Sequence, residues 1–565
     1  MELLIIGSGL AGLSAAITAV ENGDSVTLLS ADYPERAQSV LASGGINAAI
    51  DTKGEQDSPE QHFADTMKAG CDLADAEAVR GLTAQAPALI RELAARGVAF
   101  SRDQDGNPDT RYFGGQKKSR TVFARAGIGK QLVSGLAAEL LRYYAQGRVR
   151  LLMHHRFLRC ILAEGCCAGI IAEDTVSGEL LCLSSDALII ACGGPGALFG
   201  KTTGSRTSDG LASASLFRSG LKMANLEMIQ FHPTTLETPQ KRMLISEAAR
   251  GEGARLFTLK DGQRWYFMED WYGPRGNLMP RDIVSRCIYK VCTEMKLGLG
   301  GERCVGLDLT HLDRAVITDR LKEIYDTCLL YRSLDPCREY IPVYPGVHYF
   351  MGGILTDRFH RTSIPGLYAA GECACQYHGA NRLGGNSTLG AIYGGRMAAR
   401  SAAGDLASGT AAAVTEAGRA AALRQAGAEI RRLEECCADR TGENPSRLLQ
   451  DLQIIINLQL GIERNPERLE EGLRQLKELQ GRRPAFRKGH AADALAAEDL
   501  PILGEALLRS ALARRETRGA HVRIDYPERD DENFRKNMVA VFREGHVLTE
   551  TEEIGRIFNE RSSEN

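Results

Sequence analysis

Hydrophobic and polar positions at the start of the chain predict a strand, a helix and a second strand. Residues 2–7 form a short apolar run that ends in glycine, and a helical pattern follows as far as Ala19. Residues 24–29 (DSVTLL) form a second run of β type. A strand, a glycine turn, a helix and a strand in this order make a βαβ unit.

Longer periodic stretches predict further elements. Residues 61–100 and 126–145 have apolar residues at the 3.6-residue spacing of amphipathic helices, and residues 186–196 (DALIIACGGPG) contain a buried strand. From about 235 to 345 the sequence changes to short mixed elements rich in glycine, arginine and aromatic residues. Residues 405–480 have helical periodicity and favour a helix bundle set apart from the α/β part.

Size and composition are those of a globular protein with more than one core. The chain has 565 residues, 44% hydrophobic and 25% charged, with a net charge of −3. This length predicts two or three domains. The balanced charge argues against nucleic acid as a partner, and no apolar run approaches a membrane span. The opening run lacks the positive residues of a signal peptide, so we expect a cytoplasmic protein that contacts a membrane only through partner subunits.

The fifteen cysteines include no C-x-x-C pair. In a reducing compartment we expect them to be thiols. Their spacing predicts neither an iron–sulfur cluster nor another metal site in this chain. If the protein transfers single electrons, we expect the carriers to lie on another chain.

The first glycine-rich turn fits a dinucleotide-binding motif. Residues 7–12 read G-S-G-L-A-G, directly after the first predicted strand. In such a motif Gly7 permits the tight turn, Gly9 lets the backbone approach a pyrophosphate, and Gly12 lets helix and strand pack closely. The second strand ends in Ser30 rather than an acidic residue, so a ribose contact there would be a weaker hydroxyl hydrogen bond.

Three further glycine-containing segments, residues 43–47, 192–196 and 370–372, would each let backbone approach a ligand closely. Together with the first motif they indicate one large cofactor that is contacted from several places in the chain.

Histidine, arginine and glutamate are concentrated in polar segments of the second half: 230–234 (QFHPT), 246–253 (SEAARGEG), 280–282 (PRD), 346–349 (GVHY) and 378–382 (HGANR). A site for a dianion needs several convergent cationic and hydroxyl donors, and arginine suits bidentate carboxylate recognition.

As a set, these segments resemble the flavoprotein subunit of the succinate dehydrogenase/fumarate reductase family, which also includes L-aspartate oxidase. The likeness extends from residue 4 to about 534 and is nearest to the fumarate reductase form. It implies a Rossmann-like α/β FAD-binding domain in two parts, 1–234 and 346–404. It also implies an inserted α+β capping domain, 235–345, and a C-terminal helical bundle domain with its tail, 405–565.

The resemblance further implies FAD-dependent interconversion of fumarate and succinate, as part of electron transport in anaerobic respiration. Arg281 would be the proton donor, with Glu247 and Arg250 as its relay to solvent. A purely electrostatic role for Arg281 is the alternative. The implied dicarboxylate contacts are His232, Ser246 (usually Thr in the family), His348 and Arg382, with Phe113 also at the substrate. The implied FAD contacts are Gly7, Gly9, Gly12, Ser30, Ser39, Gly44, Gly45, Asn47, Asp209, Glu372, Ser387 and Leu389.

Many membrane-complex members of this family link FAD to a histidine in a segment that this chain matches at residues 33–40, where it reads YPERAQSV. Gln38 occupies the place of that histidine. We therefore predict non-covalent FAD and, since the linkage is thought to raise the flavin potential, a preference for fumarate reduction.

A missing histidine is also typical of L-aspartate oxidase, which converts aspartate to iminoaspartate. In that enzyme a glutamate before a Gly-Gly pair is thought to contact the substrate ammonium, whereas this chain has Phe113 there. Burial of an unpaired ammonium is costly, so the residue argues against the oxidase. A reductase of another unsaturated acid and a non-catalytic FAD-binding scaffold are further alternatives. For a reductase, the resemblance implies an iron–sulfur subunit as electron partner. A soluble electron donor and a thiol-oxidising partner are the alternatives.

Overall fold

The computed structural model describes residues 1–124, 127–409, 414–439 and 441–558. Its α-helices are α1 (Leu10–Glu21), α2 (Pro59–Ala69), α3 (Ala76–Ala95), α4 (Ile128–Ala145), α5 (Leu211–Arg218), α6 (Ala248–Gly251), α7 (Phe267–Tyr272), α8 (Arg281–Tyr289), α9 (Lys322–Arg332), α10 (Asn386–Ala407), α11 (Glu416–Asp439), α12 (Pro445–Gln459), α13 (Pro466–Gln480), α14 (Ala491–Ala513) and α15 (Asp531–Phe534).

The strands are β1 (Glu2–Ile6), β2 (Ser25–Ser30), β3 (Ile46–Asn47), β4 (Thr110–Arg111), β5 (Thr121–Val122), β6 (Val149–Met153), β7 (His155–Ala163), β8 (Cys166–Asp174), β9 (Leu180–Ser184), β10 (Ala187–Ile190), β11 (Met223–Ala224), β12 (Ile229–Glu237), β13 (Arg242–Leu244), β14 (Arg255–Lys260), β15 (Gln263–Trp265), β16 (Val305–Asp308), β17 (Ile341–Phe350), β18 (Gly353–Ile354), β19 (Leu367–Ala369), β20 (Glu463–Arg464), β21 (Val522–Arg523), β22 (Asn537–Arg543) and β23 (His546–Glu552).

A five-stranded parallel sheet in the order β19-β10-β1-β2-β6 forms the centre of the α/β part. Strands β1 and β2 with helix α1 form the predicted βαβ unit. Helix α10 packs on α1 so closely that a Cβ on Gly395 would lie 2.1 Å from the carbonyl oxygen of Ala11. The Rossmann-like fold class is confirmed.

A six-stranded sheet in the order β13-β12-β17-β16-β14-β15 forms the core of the predicted capping region. Its central strands β12 and β17 begin and end outside residues 235–345, at Ile229 and Phe350. They pair antiparallel, with His232 opposite Gly346 and a register shift between His232 and Thr235. These two strands therefore lead from the α/β part into the cap and carry site residues where they do so.

The C-terminal region is mainly helical through α14, and the chain after α14 forms strands, one of which pairs with a strand from the first half of the chain. Helices α12, α13 and α14 pack on one another around buried leucines such as Leu452, Leu476 and Leu503. Strands β22 and β23 then form a hairpin that pairs with β11. The expected helical domain thus ends in a β-hairpin, and the domain boundaries remain a prediction.

Two predicted helices differ in detail from those observed. The stretch 61–100 is divided into α2 and α3, because the Asp75 side chain accepts hydrogen bonds from the backbone N–H groups of Glu77 (2.9 Å) and Ala78 (3.1 Å) and so starts a new helix. The predicted helix 126–145 is α4, which begins at Ile128; residue 126 lies outside the described residues. Within the described ranges, no helix has the length and apolar character needed to cross a bilayer.

Candidate active site

One long cleft begins at the carboxyl ends of the parallel strands, where the glycine-rich turn leads into α1. Gly7 has a φ of +108°, and a Cβ there would lie 2.3 Å from the carbonyl oxygen of Ala191. Gly9 and Ser39 line the same end, and the Ser39 hydroxyl accepts a hydrogen bond from the Leu10 N–H at 3.1 Å. The end of a parallel strand and a helix N-terminus thus meet in the arrangement that binds a pyrophosphate.

Most of the predicted cofactor contacts lie in the wall of this cleft: Gly7, Gly9, Ser30, Ser39, Gly44, Gly45, Asp209, Glu372 and Ser387. Burial raises the pKa of Glu372 to about 7. Asp209 accepts a hydrogen bond from Arg156 at 2.7 Å, and the Ser30 hydroxyl is 2.8 Å from that of Ser8. Backbone approach at the glycines and polar groups along the wall fit the dinucleotide FAD.

Four predicted site residues lie behind the cleft wall rather than in it. Gly12 serves packing, since a Cβ there would be 1.8 Å from the Gly7 oxygen. Asn47 is fully buried, and its amide donates to the Gly384 oxygen at 2.7 Å, which fixes the start of α10. Leu389 is a core residue, and Arg250 is buried behind its ion-pair partner. The side chains of Asn47 and Leu389 therefore pack inside the protein, and their contact with the cofactor stays a prediction.

A buried charge cluster lies at the cap side of the cleft. Arg281, at the start of α8, donates two hydrogen bonds to one oxygen of Glu247, at 2.8 and 2.9 Å. Arg250 donates to the other oxygen at 3.0 Å. Burial alone would raise the pKa of Glu247, but the two guanidinium groups outweigh it and lower the pKa. Glu247 is therefore an anion held between two cations.

Two histidines face each other across β12 and β17, with ring centroids of His232 and His348 5.1 Å apart. Arg382 is 3.0 Å from His348 Nε2, and since arginine only donates, Nε2 carries a lone pair. The proton of His348 is then on Nδ1, 2.7 Å from the Thr203 hydroxyl. Nδ1 of His232 is 3.1 Å from the Thr234 carbonyl and also accepts a hydrogen bond from the Thr234 N–H at 3.3 Å, so its contacts suit either tautomer.

Both histidines are neutral in this site. Burial lowers the pKa of His232 and of His348 well below 6.5, and the charge of Arg281 lowers both further. His232 Nε2 and Arg382 Nε are buried and have no hydrogen-bond partner among the described residues. Burial also lowers the pKa of Arg382 to about 9, and its guanidinium lies 4.4 Å from the ring of Tyr349. Cationic and unpaired polar groups that converge in this way fit an anionic ligand.

The remaining predicted substrate contacts also line the cleft. The Ser246 side chain accepts a hydrogen bond from the Ala248 N–H at 3.3 Å, at the start of α6. Phe113 is 2% exposed, and a Cβ on Gly44 would lie 2.8 Å from its ring. Phe113 therefore closes the site with an apolar surface.

The sequence interpretation missed two residues that hold the site together. Gln230 accepts from Arg281 at 2.9 Å and donates to the Arg382 carbonyl at 2.9 Å, so one amide joins both arginine segments. It lies two residues before His232, and that spacing, which puts both on one face of a strand, was an available signal. Thr203, the partner of His348, comes from a loop 145 residues away, and no pattern in the sequence identifies it.

Comparisons with known proteins agree with this geometry. Residues 2–388 match the FAD binding domain family, and residues 449–555 match the fumarate reductase flavoprotein C-terminal family. The succinate dehydrogenase flavoprotein subunit of Bacillus subtilis is 38% identical, over 95% of this chain and 93% of its own. The flavoprotein subunit of the 8-methylmenaquinol:fumarate reductase of Wolinella succinogenes is 35% identical, over 95% of this chain and 87% of its own.

A solved structure of E. coli quinol fumarate reductase, with a glutamate-to-glutamine mutation in its flavoprotein chain, has a TM-score of 0.90 at 31% identity. The match covers 99% of this chain and 97% of that one. These matches confirm the resemblance read from the sequence motifs. The chain belongs to the succinate dehydrogenase/fumarate reductase flavoprotein family and is an FAD-dependent oxidoreductase.

Proposed function

We propose that this protein interconverts fumarate and succinate and favours fumarate reduction. The observation that carries the proposal is the convergence of Arg281, Arg382 and two neutral histidines on one cleft, with buried polar atoms that lack partners in the described part of the chain. A flat dianion with a carboxylate at each end matches two cationic groups in one buried site.

In this proposal Arg382 and His348 bind one carboxylate, and His232 with Ser246 binds the other. FAD, held at the glycine-lined end of the cleft, would supply the hydride that one alkene carbon receives. Arg281 gives a proton to the other carbon, and its two hydrogen bonds to Glu247 aim the guanidinium and provide the group that returns the proton. Arg250, on the far oxygen of Glu247, continues the relay. Phe113 excludes water from the reacting carbons.

We propose that FAD is held without a covalent bond. Gln38 lines the cleft in the place of the attachment histidine, and a carboxamide is not alkylated as an imidazole is. The preference for fumarate reduction follows from the same residue, because a flavin without the covalent linkage should have a lower potential. Acid precipitation of the FAD-loaded protein should leave all flavin in the supernatant, and flavin that stays with the precipitate would contradict the proposal.

The alternative as L-aspartate oxidase is not favoured. Arg281 and Arg382 line the cap side of the cleft, and Phe113 gives an apolar surface where the oxidase would need a carboxylate for the ammonium group. The relatives named above are succinate dehydrogenase and fumarate reductase subunits. A reductase of another unsaturated acid uses the same donors and is separated by the substrate trial below.

We also propose an iron–sulfur subunit as the electron partner. The relatives are named flavoprotein subunits, so each acts with other chains. A single-electron carrier on a subunit next to this chain would transfer electrons from a membrane quinol to FAD in the buried cleft.

The test is an anaerobic assay of FAD-loaded protein with a reduced viologen dye. Fumarate should oxidise the dye. In a parallel aerobic trial without dye, L-aspartate should give no hydrogen peroxide. Peroxide and iminoaspartate from L-aspartate would identify the oxidase instead. No activity with either substrate, but dye oxidation by another unsaturated acid, would move the assignment to that acid.

A further inference from the structure

Gln38 lies where the cofactor end of the cleft meets the loop of residues 200–208. It begins a short 3₁₀ turn, Gln38–Leu41, and its side-chain oxygen accepts a hydrogen bond from the backbone N–H of Ser205. The Ser205 hydroxyl in turn donates to the carbonyl oxygen of Arg36 at 3.2 Å. The segment around Gln38 therefore holds the loop at Ser205 by two separate hydrogen bonds.

The same loop contacts a histidine of the substrate site. The Thr203 hydroxyl is 2.7 Å from His348 Nδ1, and the Thr203 N–H donates to the Val347 carbonyl at 3.1 Å. Only Gly204 separates Thr203 from Ser205. A Cβ on Gly204 would lie 3.0 Å from the Thr202 hydroxyl and 3.5 Å from the Gln38 amide oxygen, so this turn is closely packed. A displacement at Ser205 would therefore reach Thr203.

The contact at Nδ1 decides how His348 can act. Because Arg382 donates to Nε2, the proton lies on Nδ1 and is donated to Thr203. Without the hydroxyl, the Nδ1–H would lose its acceptor, so the ring could rotate and the doubly protonated form that binds a carboxylate would be less stable.

We propose that Gln38 is a positioning residue for substrate binding: it fixes residues 203–205 so that Thr203 holds the tautomer and orientation of His348. The inference deepens the proposed function and rests on it for the identity of the substrate. By this inference Gln38, which occupies the place of the flavin attachment histidine, connects the cofactor end of the cleft to its substrate end.

The chemistry of the side chain supports this assignment. The amide oxygen is a neutral acceptor that reaches the Ser205 N–H, while methionine has nearly the same length and shape but accepts only weakly. Gln38→Met therefore removes the hydrogen bond with little change in volume, and Gln38→Glu restores an acceptor. Thr203→Val removes the hydroxyl at constant shape, and Thr203→Ser restores it.

The first readout does not depend on the reaction. Histidine ¹⁵N spectra of the FAD-loaded protein, with His348 assigned by its loss in His348→Gln, should show the Nδ1–H tautomer in the wild type. Gln38→Met and Thr203→Val should both change the His348 signals, and Gln38→Glu and Thr203→Ser should restore them. Lys201→Gln, on the exposed start of the same loop, is the matched control and should leave them unchanged.

The second readout is substrate affinity. Gln38→Met and Thr203→Val should each weaken succinate binding by roughly 3- to 10-fold. The double variant should be little worse than either single one, because both act through His348. FAD content should stay at one per chain in every variant.

Three results would overturn the inference: His348 signals that do not respond to Gln38→Met, single effects that multiply in the double variant, or a loss of FAD as the sole effect of Gln38→Met. A wild type that neither binds succinate nor reduces fumarate would instead remove the proposed function, and the histidine spectra would still report on the Gln38 contact.

Discussion

At the scale of single residues, the site consists of groups whose protonation is set by burial. His232 and His348 are both neutral, and the proton of His348 is on Nδ1, the nitrogen that faces away from the cleft. A carboxylate oxygen needs an N–H donor, so His348, whose Nδ1–H is donated to Thr203, gains a proton at Nε2 when it binds a dicarboxylate. The negative charge of the ligand raises the histidine pKa in the complex and makes this uptake favourable.

Succinate binding should therefore be coupled to proton uptake. Since the proton is present only in the complex, affinity should fall as the pH rises from 6 to 8.5, by up to about tenfold per pH unit for each proton taken up. Calorimetry in two buffers of different ionisation enthalpy gives the number of protons directly. A dissociation constant and a heat that are independent of pH and buffer would contradict the tautomer assigned to His348.

The Glu247 carboxylate should matter for rate more than for substrate affinity. Glu247→Gln leaves Arg281 in place but removes the anion that would return its proton, so kcat should fall by roughly 10²-fold or more with a small change in KM. Glu252→Gln is the matched control, because Glu252 directly follows α6, as Glu247 directly precedes it, and pairs with the exposed Arg320. Equal kcat values for the two variants would argue that Arg281 acts without a relay.

At the scale of elements, the cofactor end depends on close contact between β1 and α1. A Cβ on Gly12 would lie 1.8 Å from the Gly7 oxygen, so Gly12→Ala must displace the helix from the strand. We expect loss of bound FAD and a lower melting temperature. Gly404, in the exposed last part of α10, has nothing within 4 Å of its Cβ position in the described chain.

Gly404→Ala is therefore the control for Gly12→Ala. It should keep FAD and gain up to about 1 kcal/mol of stability, since alanine is the better helix former. Flavin absorbance after gel filtration and thermal melts check both variants. Full FAD retention by Gly12→Ala would contradict the assigned packing.

At the scale of the whole molecule, buried neutral histidines limit stability in acid. Burial lowers the pKa of His62 to about 3, of His360 to about 4 and of His378 to about 3. Each binds a proton only after unfolding, so stability is complete above pH 6.5 and falls below it, by about 2 kcal/mol per histidine at pH 5. His232, His348 and His521 act in the same direction.

Several carboxyl groups with a raised pKa act in the opposite direction, among them Glu372 and Asp357. Burial raises the pKa of Glu372 to about 7 and of Asp357 to about 6, so each favours the folded state at low pH and loses that contribution as the pH rises. Each of the six histidines loses its contribution over the range from pH 6.5 to 5, and together they outweigh what Glu372 and Asp357 regain, so the melting temperature should drop over this range. His62→Gln should reduce this drop, while His546→Gln, in an exposed hairpin turn, should not. A melting temperature that is flat over this range would contradict the account.

Sequence patterns predicted the elements whose signals are local. The turn at Gly7, the strand before it and the segments with His232 and His348 follow from spacing and composition, and the family resemblance placed them in one site. The start of α3 at Asp75 also had a local signal, an N-capping residue, which the long helical periodicity concealed.

Contacts between distant segments could not be predicted in this way. The hairpin β22–β23 pairs with β11 across more than 300 residues of chain, and the Thr203 loop meets His348 across 145. Such pairs depend on how complete elements pack, which periodicity does not record. The positions of Arg250 and Asn47 behind the cleft wall could not be predicted either, because contacts with residues elsewhere in the chain determine them.

The most direct test of the central claim is a single-turnover reaction of the isolated protein. FAD-loaded protein is reduced anaerobically, freed of reductant and mixed with fumarate in a stopped-flow instrument, beside a parallel mixture with buffer. We expect fumarate to restore the oxidised flavin spectrum with one succinate formed per flavin, and Arg281→Lys to slow this step by at least about 10²-fold. A flavin that stays reduced in the presence of fumarate would contradict the assignment of this cleft.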